Sequence, residues 1–229
     1  MLTCLCDAYY GEVGIATTRV LRHVGCDVQF EPAQTCCGQP PFNSGSWDEA
    51  RQIARHCQSV LFFDETPVVT PSSSCAAMVH DGYPMLFPSE PKRHAWELSA
   101  FLVQHLGLSS WAGARPYPRR VAFHPACHGR GIGLHGEATA LLRSIPSLEL
   151  VEFADPGQCC GFGGAFCVTE GKLSNEIGMQ KLRTIMEAGA EEIVSTDMGC
   201  LLHLRGLIER HKMPLRTRHF AEILAEVLP

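Results

Sequence analysis

The sequence predicts an α/β fold in which an internal duplication makes two pseudo-symmetric domains, each built on a parallel sheet. Three observations carry this. Thirty-one residues separate Cys4 from Cys36, and thirty-one separate Cys127 from Cys159. Both later positions open a Cys-Cys-Gly triplet, Cys36-Cys37-Gly38 and Cys159-Cys160-Gly161. A further cysteine follows each triplet at nearly the same distance, Cys75 and Cys200, and short apolar runs alternate with helical patterns through both halves. The context of the cysteines repeats as well. Val28 and Phe30 precede the first triplet as Val151 and Phe153 precede the second, and Val69-Thr70 precedes Cys75 as Val194-Ser195 precedes Cys200.

The elements follow from these patterns. Apolar runs near 2–5, 27–31 and 66–70 read as buried strands, and those near 120–124, 149–153 and 192–196 repeat them. Val13 to Val24 has helical apolar spacing and stops at Gly25. Trp47 to Leu61 opens after Ser46, with Glu49 in its first turn. Ala138 to Ile145 and Leu173 to Ala188 occupy the matching places. Pro91 to Leu106 and Phe220 to Leu228 read as helices closing each half. The joint is SSWAGARPYPRR, which has two prolines and no periodicity. The expected domains are 1–108 and 121–229, with 109–120 as linker.

Composition narrows the chemistry. The chain has 229 residues, 45% hydrophobic and 19% charged, with a formal net charge of -5, so no basic stripe invites a nucleic acid. No run reaches the ~18 apolar residues of a membrane helix, and the N-terminus lacks the basic and apolar regions of a secretory signal. A cytoplasmic location is expected. In that reducing compartment twelve cysteines point to metal, cluster or redox chemistry. Eight belong to the repeat: Cys4, Cys36, Cys37, Cys75, Cys127, Cys159, Cys160 and Cys200. Thiolates are soft ligands and suit iron–sulfur clusters or zinc. In an α/β fold the carboxyl ends of the strands gather ligands, so the four thiols of each half are expected at one sheet edge. The two sites are expected to face each other across the pseudo-twofold.

Around the second set stand His124, His128 and Arg130, candidates for catalytic work: a proton relay for the histidines, a carboxylate anchor for the arginine. Each has a bland alternative, a histidine held by a backbone carbonyl or an arginine in solvent. Cys6, Cys26, Cys57 and Cys167 lie outside the repeat and read as packing thiols, with Cys6 and Cys167, close to the ligand segments, read alternatively as spare thiols at a cluster. His203, one turn after Cys200, shares its helix face.

The triplets, with TCCGQPPFNSG at 35–45, TPSSSCAAM at 70–78, CCGFGGAF at 159–166 and GCLLHL at 199–204, resemble the cysteine-rich CCG domain. That domain occurs in heterodisulfide reductase, in the glycolate oxidase iron–sulfur protein and in the lactate-utilization A proteins. Two CCG domains and nothing else look most like the last group. The resemblance implies an iron–sulfur subunit of a cytoplasmic oxidoreductase complex that oxidises L-lactate, a small 2-hydroxy acid, to pyruvate. It implies a ferredoxin-like iron–sulfur protein and a third protein as partners. It implies one or two 4Fe-4S clusters per chain, held by the eight repeat cysteines. The fullest family pattern ends in Cys-x-x-Cys, and here Ser72 and Asp197 replace the first cysteine of each pair. Each site is thereby reduced to four thiols, and Asp197 reads either as an oxygen ligand or as a structural carboxylate. Zinc in a four-thiolate site, and a thiol–disulfide protein of heterodisulfide-reductase type, are the alternatives.

Overall fold

The computed structural model describes residues 1–229. The first half runs α1 (Cys4–Tyr9), α2 (Gly11–His23), α3 (Gln39–Asn43), α4 (Trp47–Leu61), β1 (Val68–Thr70), α5 (Ser73–Ala77), α6 (Tyr83–Leu86), β2 (Ala95–Glu97) and α7 (Leu98–Ala100). A π-helical turn, Met78–Gly82, joins α5 to α6, and another, Phe101–His105, prolongs α7. The second half runs β3 (Arg119–His124), α8 (Cys127–Gly131), α9 (Glu137–Arg143), β4 (Leu148–Leu150), α10 (Phe166–Thr169), α11 (Gly171–Glu187), β5 (Glu192–Ser195), α12 (Met198–His211), β6 (Arg216–His219) and α13 (Phe220–Glu226).

Both sheets are parallel, β1-β2 in the first half and β4-β3-β5-β6 in the second. The pairing of β1 with β2 repeats that of β5 with β6, each followed at once by a helix. The helices expected at 13–24, 47–61, 138–145 and 173–188 stand within two residues of those bounds.

Three expectations are corrected. Residues 2–5 are not a strand: Thr3 Oγ1 accepts the Cys6 amide at 3.2 Å and turns the chain into α1. Residues 27–31 form no strand, because no neighbouring strand lies in place to pair with them. The segment 91–106 is not one helix. Its middle forms β2, and Glu97 then caps α7, accepting the Ser99 and Ala100 amides at 3.0 and 3.3 Å. Thr217 and its neighbours likewise form β6, a strand the apolar pattern hid because its sequence is Arg-Thr-Arg-His.

Aligning Cys4 with Cys127 sets Met1 against His124, the last residue of β3. The Met1 amine donates to Val69 O at 2.7 Å, as the end of a strand beside β1 would. Burial pushes that amine down to about 6. Beside β1 runs a groove of about 700 Å³, bordered by Val28, Phe30, Val68 and Val69, where the second half has β3 between β4 and β5.

The halves interlock. Helix α13 of the second half packs on α2 of the first, and α7 of the first packs on α9 of the second. One core cluster therefore draws Val20, Leu98 and Leu102 together with Leu141, Leu142, Phe220 and Leu224. The joining segment is part of this core. Trp111 is buried, its indole donating to Leu224 O at 3.2 Å, and the Tyr117 hydroxyl donates to Glu192 at 2.6 Å. Burying such side chains is worth roughly 2 kcal/mol each, so the halves stabilise one another.

Glu97 and His219 occupy matching places, each capping the closing helix of its half from full burial. Burial raises the Glu97 carboxyl to about 7 and lowers His219 to about 4. One Glu97 oxygen has no partner. A carboxyl raised in the folded state contributes stability at low pH that is lost as pH rises through the folded value. Wild-type protein is therefore expected to lose about 2 kcal/mol relative to Glu97→Gln between roughly pH 5 and pH 8. Denaturant titrations of both proteins at the two pH values check this, and parallel curves would refute it.

Candidate metal centre

Each repeat cysteine is placed by a backbone feature that its half shares with the other. Cys4 and Cys127 are the first residues of α1 and α8. Cys75 and Cys200 are the third residues of α5 and α12, each directed by an N-cap three residues earlier. At Cys75 the cap is Ser72, whose Oγ accepts the Cys75 amide at 3.2 Å. At Cys200 it is Asp197, whose Oδ1 accepts the Gly199 and Cys200 amides at 3.0 and 3.4 Å.

The triplet glycines explain the middle pair. Gly38 and Gly161 have φ of 91° and 93°, a left-handed backbone that glycine alone adopts cheaply. A Cβ on Gly161 would lie 2.4 Å from Ser174 O on α11, and one on Gly38 would lie 3.2 Å from Ala50 O on α4. The glycine thus lets the triplet press onto a helix and turn both thiols towards one point. Each glycine amide also donates to the first sulfur of its triplet, at 3.4 Å to Cys36 and 3.3 Å to Cys159.

All four thiols of each half converge. Cys4 lies 3.7 Å from Cys36, and Cys37 lies 3.5 Å from Cys75, with Cys36 and Cys37 adjacent in sequence. In the second half Cys160 lies 3.0 Å from Cys200, and Cys159 sits close enough to Cys127 to push its thiol up. The thiols share charge unequally. Hydrogen bonds from Cys37 and Cys4 pull Cys36 down to about 3, and those from Cys127 and Cys160 hold Cys159 far below an ordinary thiol. The donors Cys4, Cys37, Cys127 and Cys160 are pushed up by the same bonds and by burial. The first cysteine of each triplet is thus held towards its thiolate.

The two sites flank one seam. Ser72 Oγ lies 3.3 Å from Asp197 Oδ2, and that same oxygen accepts the Ser74 amide at 2.8 Å. Ser73 N donates to Thr196 O at 3.1 Å, and their hydroxyls meet at 2.7 Å. Helix α1, bearing Cys4, packs on α12, which bears Cys200; α8, bearing Cys127, packs on α5, which bears Cys75. The sets therefore lie on either side of a pseudo-twofold that passes by Ser72 and Asp197. Asp197 has both oxygens engaged by backbone amides, which makes it a structural carboxylate.

The remaining candidates separate. His124 is buried, with neither ring nitrogen bonded, and one of those nitrogens lies within 4.8 Å of the Cys160 and Cys200 sulfurs. His128 Nδ1 lies 3.8 Å from Cys127 Sγ. Arg130 turns inward: Nη2 donates to Gly157 O at 2.6 Å, and Nε is buried without a partner. It lines a cavity of about 200 Å³ between the halves with Ser73, Ser99, Thr196 and His135. His203 lies beside Ser174 and braces the second triplet from behind, 3.3 Å from Ser174 O. Cys6 and Cys57 are fully buried among apolar neighbours, and Cys167 donates to Gly164 O at 3.0 Å.

Sequence reasoning missed Lys181. It is fully buried, its Nζ donating to Pro156 O at 3.1 Å and lying 5.1 Å above the Phe153 ring. Burial pushes it down to about 8, against the pull of Cys160, Asp155 and Cys200. A charged residue on the inner face of an otherwise amphipathic helix was the available signal. Its charge offsets that of the second thiol set.

The model of the cysteine-rich CCG domain matches residues 1–80 and 121–205, one copy in each half. The chain belongs to the CCG domain family. Among CCG proteins it is homologous to Lactate utilization protein A along its full length. It is 41% identical to that protein of Geobacillus kaustophilus and 40% to that of Geobacillus thermodenitrificans, over 97% of this chain and 96% of each relative. Identity to the Exiguobacterium protein of the same name is 36%, over 98% of this chain and 95% of the relative. No helix is long and apolar enough to cross a membrane.

Proposed function

We propose that this CCG protein is an iron–sulfur subunit of an oxidoreductase complex that oxidises L-lactate to pyruvate. The observation that carries the reading is the convergence of four thiols at each of two equivalent positions, one thiol of each set already favouring its thiolate. Such a donor set fits a 4Fe-4S cluster, which takes four thiolates. Cys4, Cys36, Cys37 and Cys75 would hold one cluster, and Cys127, Cys159, Cys160 and Cys200 the other. A cluster supplies one-electron transfer when bound.

The protein's own part is to hold Cys4, Cys75, Cys127 and Cys200 at helix starts, whose amide dipoles favour negative charge, and to place Lys181 beside the second set. Similarity to proteins named for lactate utilization supports lactate as the substrate, and the CCG-family resemblance supports a ferredoxin-like iron–sulfur protein and a third protein as partners. Arg130 supports a small 2-hydroxy acid as ligand. Its side chain lines a cavity of about 200 Å³, and a guanidinium pairs well with a carboxylate. Anaerobically purified protein is expected to be brown, with iron and sulfide in equal amounts and visible absorbance that bleaches on reduction. Colourless protein carrying zinc after the same anaerobic purification would replace this reading with a four-thiolate structural site.

A further inference from the structure

The two thiol sets are not equal, and the difference lies at the end of β3. His124 is the last residue of that strand and is 1% exposed. Strand alternation turns Phe123 and Pro125 towards the cavity beside Arg130 and turns His124 to the opposite face. There a ring nitrogen and the Cys160 and Cys200 sulfurs all lie within 4.8 Å of one another. Neither ring nitrogen has a hydrogen-bond partner. A buried imidazole with both nitrogens unsatisfied costs roughly 1–3 kcal/mol per group, and native proteins keep such groups for a ligand or a water.

Hydrogen bonding elsewhere in the molecule sharpens the contrast. His219, equally buried, has both nitrogens used, Nε2 to Pro71 O at 3.0 Å and Nδ1 to the Ala221 amide at 3.1 Å. His203 lies 3.3 Å from Ser174 O. At the position that matches His124 the first half has Met1, whose amine is engaged by Val69 O. The second set thus has an imidazole donor where the first has none.

We propose that His124 is a metal ligand of the second centre, one ring nitrogen binding an iron beside Cys160 and Cys200 in place of one of the four thiolates named above, so that the second centre is mixed imidazole–thiolate and the first all-thiolate. The inference rests on the iron–sulfur reading above. Imidazole in place of thiolate removes one negative charge from the centre and raises its potential. Lys181 acts in the same direction from beside Cys160 and Cys200. The second centre is then the electron acceptor of the pair.

The test is pulsed electron paramagnetic resonance on anaerobically reconstituted, reduced protein, with Mössbauer spectra of iron-enriched samples as a measurement that needs no unpaired spin. A strong nitrogen coupling that changes on labelling with isotopic histidine is expected, together with an iron site of distinct isomer shift. Both signatures should vanish in His124→Cys, which keeps a ligand and the iron content, and persist in His128→Ala. Wild-type protein with full iron but without nitrogen coupling or a distinct iron site overturns the inference and leaves the iron–sulfur reading standing. Wild-type protein that takes up no iron overturns both. Signatures lost in His128→Ala and kept in His124→Cys would assign the ligand to His128 and refute the assignment to His124.

Discussion

Replacing Asp197 with alanine is expected to cost on the order of 4 kcal/mol of folding stability. The carboxyl group is 3% exposed and serves both halves. Its Oδ1 takes the Gly199 and Cys200 amides, which start α12, and its Oδ2 takes the Ser74 amide and lies against the Ser72 hydroxyl. Alanine leaves three amide donors without an acceptor at a seam where water does not replace them freely. Each such orphan costs roughly 1–3 kcal/mol. Ser72→Ala removes the cap of Cys75 and a hydroxyl contact to Asp197 Oδ2, leaves the Asp197 acceptors in place, and is expected to cost about 1 kcal/mol. Urea titration of the two variants checks the ranking. Equal shifts in midpoint would show that Asp197 does no more than cap a helix. Asp197→Ala should also speed alkylation of Cys200 in metal-free protein, because the thiol sits three residues beyond the lost cap.

Replacing Cys36 or Cys159 with serine is expected to remove about half the iron and sulfide from anaerobically prepared protein, and the double variant nearly all. These two carry the strongest case because each sulfur accepts its triplet glycine's amide and is held below an ordinary thiol by two neighbouring thiols. Serine keeps the size and loses the soft donor. The variants should leave the fold intact, since Cys36 is half-buried and Cys159 exposed. Iron lost from only one variant would mean that the centres do different jobs. Iron kept in both would remove the triplets from the ligand set.

The cysteine constellation was legible in the sequence because spacing survives folding. Cys4, the triplet and Cys75 recur as Cys127, the triplet and Cys200, and each member lands on an equivalent element. The long helices were legible because α2, α4, α9 and α11 each present an apolar face over two turns or more. The short strands were harder. β6 reads Arg-Thr-Arg-His, and only its pairing with β5 makes it a strand. The segment 27–31 has the apolar residues of a strand and is none, because a strand is a property of a pair.

The polar residues of the seam followed the same division. Ser72 and Asp197 were visible as departures from the CCG pattern, but their use was not. That Asp197 caps one helix and accepts from the other half depends on two segments 123 residues apart meeting at 2.8 Å. Arg130, which the sequence offered as a carboxylate anchor or a solvated cation, and Lys181, which it did not single out, both turn inward.

By itself the sequence determined that this chain is a duplication with four thiols in each copy. It did so because ligand spacing and helical periodicity are local properties of the chain. Only the tertiary structure decided that the copies share one core, that Asp197 is spent on backbone amides, and that His124 stands unpartnered beside Cys160 and Cys200. Those facts depend on which groups remain without water or a hydrogen-bond partner once the halves have closed on each other, and no spacing along the chain records that.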